Sequence, residues 1–177
     1  MSDNSNESDH ALVIPAFGKV PALRLGMNKI KEAESRYTEV QLVNPSTYVE
    51  LEHVFNESYR DLKQYVSSVG YNLGLAKKAA EEAKADVILG SYQEYLKDKP
   101  KYHNNTDLRE AFLAKDPAYS EALEKVEQLK ALESHLEGKI KVVENVCRFM
   151  RKKMDLILRS GLSDSALYST QGKKYGK

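Results

Sequence analysis

The stretch 116-DPAYSEALEKVEQLKALESHLEGKIKVVENVCRFMRKKMDLILRS-160 decides the fold. Aspartate is a favoured N-cap and proline suits the first helical position, where its missing N–H is not needed, so Asp116-Pro117 reads as a helix start. Apolar residues then recur at helical spacing: Tyr119, Leu123, Val126, Leu129, Leu132, Leu136, Ile140, Val143, Val146, Met150, Met154 and Ile157. Ser160-Gly161 offers a stop, so the helix is expected over 116–160. Its charge changes sign along its length, from Glu121, Glu124, Glu127, Glu133 and Glu137 to Arg148, Arg151, Lys152, Lys153 and Arg159.

A second long helix is expected upstream. Asn44-Pro45 ends the preceding segment, Ser46 or Thr47 can cap, and Thr47-x-x-Glu50 fits a capping box. The stripe Leu51, Phe55, Leu62, Tyr65, Val69, Leu73, Ala76, Ala80, Ala83 and Val87 carries it to about Lys97. Gly70 and Gly74 weaken its middle, which predicts a kink near Gly70 and a close approach by another helix. Between the long helices, residues 97–105 read as a turn, and Asn105 or Thr106 caps a short helix over Asp107–Ala114.

The remaining segments are shorter. Residues 1–10 are acidic and polar and are expected to be disordered. Residues 11–46 form an arm in which Pro15, Gly18, Pro21 and Gly26 interrupt two apolar runs. Within it a short helix is expected at Asn28–Tyr37 and an extended piece at Val40–Val43. Residues 161–177 read as a flexible basic tail. The fold class is thus all-α: an elongated hairpin of long helices over 47–160 with coiled-coil-like packing.

Two such rods leave apolar flank uncovered, so homo-oligomerisation through Leu123, Val126, Leu129, Leu136, Ile140 and Val143 is expected. The net charge of +1 conceals a split. Residues 139–177 hold ten Lys/Arg against Glu144, Asp155 and Asp164, or +7, which leaves −6 for the rest. A basic end of this kind suits a polyanion or an acidic protein face.

Catalysis finds no support in recognised nucleophile, nucleotide or metal motifs. His10, His53, His103 and His135 are widely separated, and the lone Cys147 cannot form an internal disulfide. No enzymatic activity and no cofactor are expected. The N-terminus is unlike a signal peptide and no apolar run approaches membrane-spanning length, which suits a cytoplasmic protein without a membrane partner.

Two clusters suit nucleic acid. Arg148, Arg151, Lys152 and Lys153, extended by Arg159, can contact phosphates. Dipole complementation at a helix end accounts for Arg159 and poorly for Arg148, since the effect fades within one turn. Lys97, Lys99 and Lys101 lie between Tyr95 and Tyr102, where tyrosines can stack bases while ammonium groups follow the backbone.

The layout of a long alanine- and lysine-containing helix, a polar elbow, the segment Arg109-Glu110-Ala111-Phe112-Leu113-Ala114-Lys115-Asp116 and a long closing helix resembles the UvsY-like recombination mediators of T-even phages. The resemblance covers about residues 48–160 and rests on architecture. It implies a ring-forming protein that binds single-stranded DNA and helps load a RecA-like recombinase in the presence of the single-strand binding protein, in the host cytoplasm. That family's Lys-Ala-Arg motif finds its nearest match in Lys84-Ala85-Asp86, followed by Gly90. Lys84 corresponds, whereas Asp86 stands where the arginine would be. The DNA contact is therefore expected to shift to Lys77, Lys78 and the 148–153 cluster. The alternative expectation is a helical structural or adaptor protein, such as a phage assembly or host-inhibiting factor, whose basic end docks on an acidic protein surface.

Overall fold

The computed structural model describes residues 11–97 and 105–171, with side chains described as far as residue 160. The order is β1 (Ala11–Ile14), β2 (Leu23–Gly26), α1 (Asn28–Ser35), α2 (Tyr37–Val40), α3 (Tyr48–Val87), a π-helical turn (Ile88–Tyr92), α4 (Gln93–Leu96), α5 (Thr106–Lys115) and α6 (Pro117–Gln171). The protein is mostly helical, as the periodicity predicts, and its arm adds one two-stranded pair, β1 with β2. Of the described residues, 26–63 and 138 onward form one compact unit, and 11–25 with 64–137 form a second.

α3 begins at Tyr48, directly after the cap candidates Ser46 and Thr47, and a turn opened by Asn44 leads into it. Asn44 Oδ1 accepts from the backbone N–H groups of Ser46 at 2.9 Å and Thr47 at 3.3 Å, while Thr47 Oγ1 accepts from the N–H of Asn44 at 3.1 Å. This is a reciprocal pair of side-chain bonds across the turn Asn44-Pro45-Ser46-Thr47 that precedes the helix. The expected Thr47–Glu50 box does not form, because Glu50 turns to Arg36 at 2.7 Å. Asn44→Ala is expected to cost about 1 kcal/mol, read by denaturant unfolding. Asn105 caps α5 by accepting from Leu108 N–H, and Asp116 caps α6 by accepting from Tyr119 N–H, both at 2.9 Å.

In the first unit Ile30, Ala33, Val40 and Val43 are buried with Leu51, Val54, Phe55 and Leu62 of α3 and Ile140, Val143, Met150 and Met154 of α6. Phe55 stacks on Tyr37 with centroids 5.6 Å apart. Tyr59 Oη donates to Glu144 at 3.1 Å and Arg151 Nε to Glu52 at 3.4 Å. Seven residues forward on α3 therefore match seven backward on α6, so the two helices run antiparallel within this unit. Lys139 bonds Glu34 of α1, and Lys153 donates to the Gln41 carbonyl. The extended piece expected at Val40–Val43 is absent. Val40 and Val43 are both buried at a spacing of three, and Val43 N–H bonds the Val40 carbonyl, which is a helical turn rather than a strand.

In the second unit Val20, Leu25, Val69, Leu73, Ala76, Ala80, Val87, Leu113, Ala122, Val126, Leu129 and Leu136 form the core. Phe17 and Val20 exchange two backbone bonds of 2.9 and 2.7 Å around Gly18, whose φ of 51° only glycine adopts readily. The buried Lys125 sends its ammonium to the Pro15 carbonyl at 3.1 Å, which ties this turn region to α6. α3 does not break at Gly70. A β-carbon there would lie 3.0 Å from Glu133 Oε1, so the glycine admits the α6 side chain. The irregularity falls instead at Ile88–Tyr92, where a π-turn sets Val87 and Tyr92 five apart with both buried. Tyr92 then meets Phe112 of α5 at 5.5 Å. Gly74 has no atom within 4 Å of an added β-carbon, so Gly74→Ala is expected to stabilise by about 0.5–1 kcal/mol in the same unfolding measurement.

Five of the six residues expected to join subunits are consumed within the chain. Val126, Leu129, Leu136, Ile140 and Val143 are each 5% exposed or less, and of that set only Leu123 is exposed, at 39%. α6 also continues past Ser160-Gly161 to Gln171. One glycine costs a helix only about 1 kcal/mol, and no proline follows to enforce a stop.

Candidate nucleic-acid interface

Apart from Lys125, the buried positions of α6 from Ala122 to Met154 alternate by four and three once the part-buried Glu133 and Cys147 are included: 122, 126, 129, 133, 136, 140, 143, 147, 150, 154. A seam of period 3.5 turns every other set of residues seven apart onto a common face. In the first unit this sorts the exposed side chains into rows. Lys141 and Arg148 are seven apart, Lys152 and Arg159 are seven apart, and the two pairs are neighbours one helical turn apart. All four cations are exposed. Beside them runs a second row, also seven apart: Val142, Phe149 and Leu156, exposed by 46%, 47% and 66%.

Among the described residues no carboxylate forms an ion pair with Lys141, Arg148, Lys152 or Arg159. Arg151 differs: it is held by Glu52, and hydrogen bonds to Glu52 and then Tyr48 raise its pKa above the usual arginine value. Lys153 is part-buried and spends a bond on Gln41. The cations of the expected 148–153 cluster therefore divide by availability, two facing out and two tied in. Lys141 was missed in the sequence because it lies outside the dense RxxRKK run. Its signal was the seven-residue step to Arg148.

Arg148, Arg151 and Lys152 also line a shallow cavity of about 440 Å³ with Asn56, Tyr59, Glu144, Cys147 and Asp155. Two carboxylates offset the three cations there, so the cavity is less positive than the outer row. Cys147 is half-buried, and burial, only partly opposed by Arg151, pushes its thiol pKa up. At neutral pH it is therefore a protonated thiol rather than a nucleophile.

The other expected nucleic-acid residues lie elsewhere. Lys77, Lys78, Lys84 and Lys97 belong to the second unit. Lys78 approaches Glu82 and Lys84 approaches Glu81, each at 3.9 Å, and Glu82 also meets Lys19 at 3.5 Å, whereas Lys77 and Lys97 are exposed with no ion pair among the described residues. Lys99, Lys101 and Tyr102 fall outside the described residues. Among the described residues no group of three His, Cys, Asp or Glu is placed to hold a metal ion, and no helix is long and apolar enough to cross a membrane.

Compared with known proteins, the chain matches no family model, no curated protein and no solved structure.

Proposed function

We propose that this chain is a non-enzymatic, single-stranded DNA-binding protein that grips phosphates with the outer face of α6. Its role is that of a recombination mediator assisting the loading of a RecA-like recombinase beside a single-strand binding protein, in the cytoplasm of a phage-infected host. The observation that carries the binding is the row Lys141, Arg148, Lys152 and Arg159, which has no ion-pair partner among the described residues. Charges left in solvent by the fold gain by meeting phosphates and releasing their counterions, and that gain is independent of sequence. The mediator role comes from the UvsY-like resemblance.

The same proposal takes α3 and α6 as one long hairpin and the working form as a homo-oligomer. The antiparallel pairing within the first unit supports the hairpin. With Val126 to Val143 internal, assembly falls to exposed apolar residues such as Leu89, Tyr71 and Leu123 of the second unit. Assembly would multiply a four-cation row into a high-avidity surface.

A labelled single-stranded oligonucleotide titrated across a salt series, with light scattering for mass, tests both parts. Binding that weakens steeply with salt is the expected result. No binding at low salt sinks the DNA reading and turns the basic face toward an acidic protein surface. A monomer at all concentrations sinks the assembly.

A further inference from the structure

The apolar row beside the cations is not explained by phosphate binding. Val142, Phe149 and Leu156 are exposed on the same unit, with Arg148 and Lys152 adjoining Phe149. The row spans about 21 Å at 1.5 Å per residue. A second copy of this face is a poor occupant, because pairing two such rows would bring Lys141, Arg148, Lys152 and Arg159 of both copies together with Asp155 as the one acid on that face. An unpaired nucleic-acid strand matches both rows at once, with phosphates along one edge and exposed, flat, weakly polar bases along the other. A duplex matches only the cations, since its bases are stacked and paired inside, and its charged backbone would lie against three apolar side chains.

We infer that Val142, Phe149 and Leu156 form a base-contact row in which Phe149 is the stacking platform, so that this face selects single strands over duplex. The inference rests on the DNA-binding reading above. Phe149 is the one aromatic side chain in α6 between Val142 and Leu156, and aromatic faces accept any base, which suits sequence-tolerant binding. Lys152 and, beyond it, Arg148 lie on one side of Phe149 around the helix and hold the strand's backbone while the base lies on the ring. Val142 and Leu156 cover neighbouring bases by apolar contact.

The chain has no tryptophan, so Phe149→Trp installs a single fluorescent reporter at the platform. Oligo(dT) and oligo(rU) are expected to quench its emission, and a blunt duplex of equal length is not. Phe149→Ala, checked by circular dichroism for intact helix, is expected to weaken single-strand binding about 5- to 150-fold while leaving duplex binding unchanged. A quench by one oligonucleotide alone still supports stacking and identifies the sugar preferred. If the wild type binds oligonucleotide, Phe149→Ala binds equally well and the Phe149→Trp emission stays unmoved, the base-contact row is wrong and the cation row stands. If the wild type binds no oligonucleotide at low salt, the underlying reading fails first. A Phe149→Trp emission that responds to anionic phosphatidylserine vesicles but to no oligonucleotide overturns the inference in favour of a lipid surface.

Discussion

Changing Arg148 and Lys152 together to Ala is expected to weaken single-stranded DNA binding on the order of 10- to 100-fold at low salt and to flatten its salt dependence. Each phosphate contact to a single strand contributes roughly 0.7 to the log–log salt slope, so losing two should reduce it by about 1.4. The two residues are chosen because both are exposed and, among the described residues, neither forms an ion pair with an acid. Arg151→Ala should act less on DNA. Its guanidinium already bonds Glu52, so removing it mainly releases that carboxylate. Fluorescence anisotropy across a salt series separates the cases. An unchanged slope in the double variant would mean that the row does not touch phosphates.

Phe55→Ala is expected to be the most damaging single core change. Phe55 has no exposed surface and stacks on Tyr37 at an interplanar angle of 15°. Deleting a buried phenyl group costs about 3–5 kcal/mol, because the cavity left behind collapses only in part. That is a large share of a domain stability of about 5–15 kcal/mol. For a chain of this size it corresponds to a Tm roughly 6–20 °C lower. Leu42→Ala is the control, since Leu42 is 77% exposed and should move Tm little. A thermal melt in which the two variants behave alike would contradict the packing around Phe55.

The two long helices were legible because each carries a continuous apolar periodicity and a capping signal. The register of the seam was harder to read. Glu133 and Cys147 occupy two of its positions, and neither scores as an apolar marker, so Leu123 was counted inward where Ala122 lies. Glu133 fits because Gly70 opposes it, a pairing that only tertiary structure reveals. The turn at Asn44 was hidden by its proline, which reads as a terminator until the asparagine side chain is seen bonding forward over it. The cation cluster was visible as a run, but a run does not tell which members are spent internally. Glu52 and the Gln41 carbonyl settle that for Arg151 and Lys153, and both come from distant parts of the chain.

Tyr59 and Glu144 are 85 residues apart in sequence, and residues 64–137, the bulk of the second unit, lie between them. At a translation rate of about 5–20 residues per second, α3's first half waits roughly 4–17 s for its α6 partner to be made. Phe55, Leu51 and Leu62 are without that cover throughout. The 64–137 part of the second unit can close on shorter loops in the meantime, as between Gly70 and Glu133, and its 11–25 segment joins once Lys125 is made. The unit that carries the cation row is therefore completed last during synthesis.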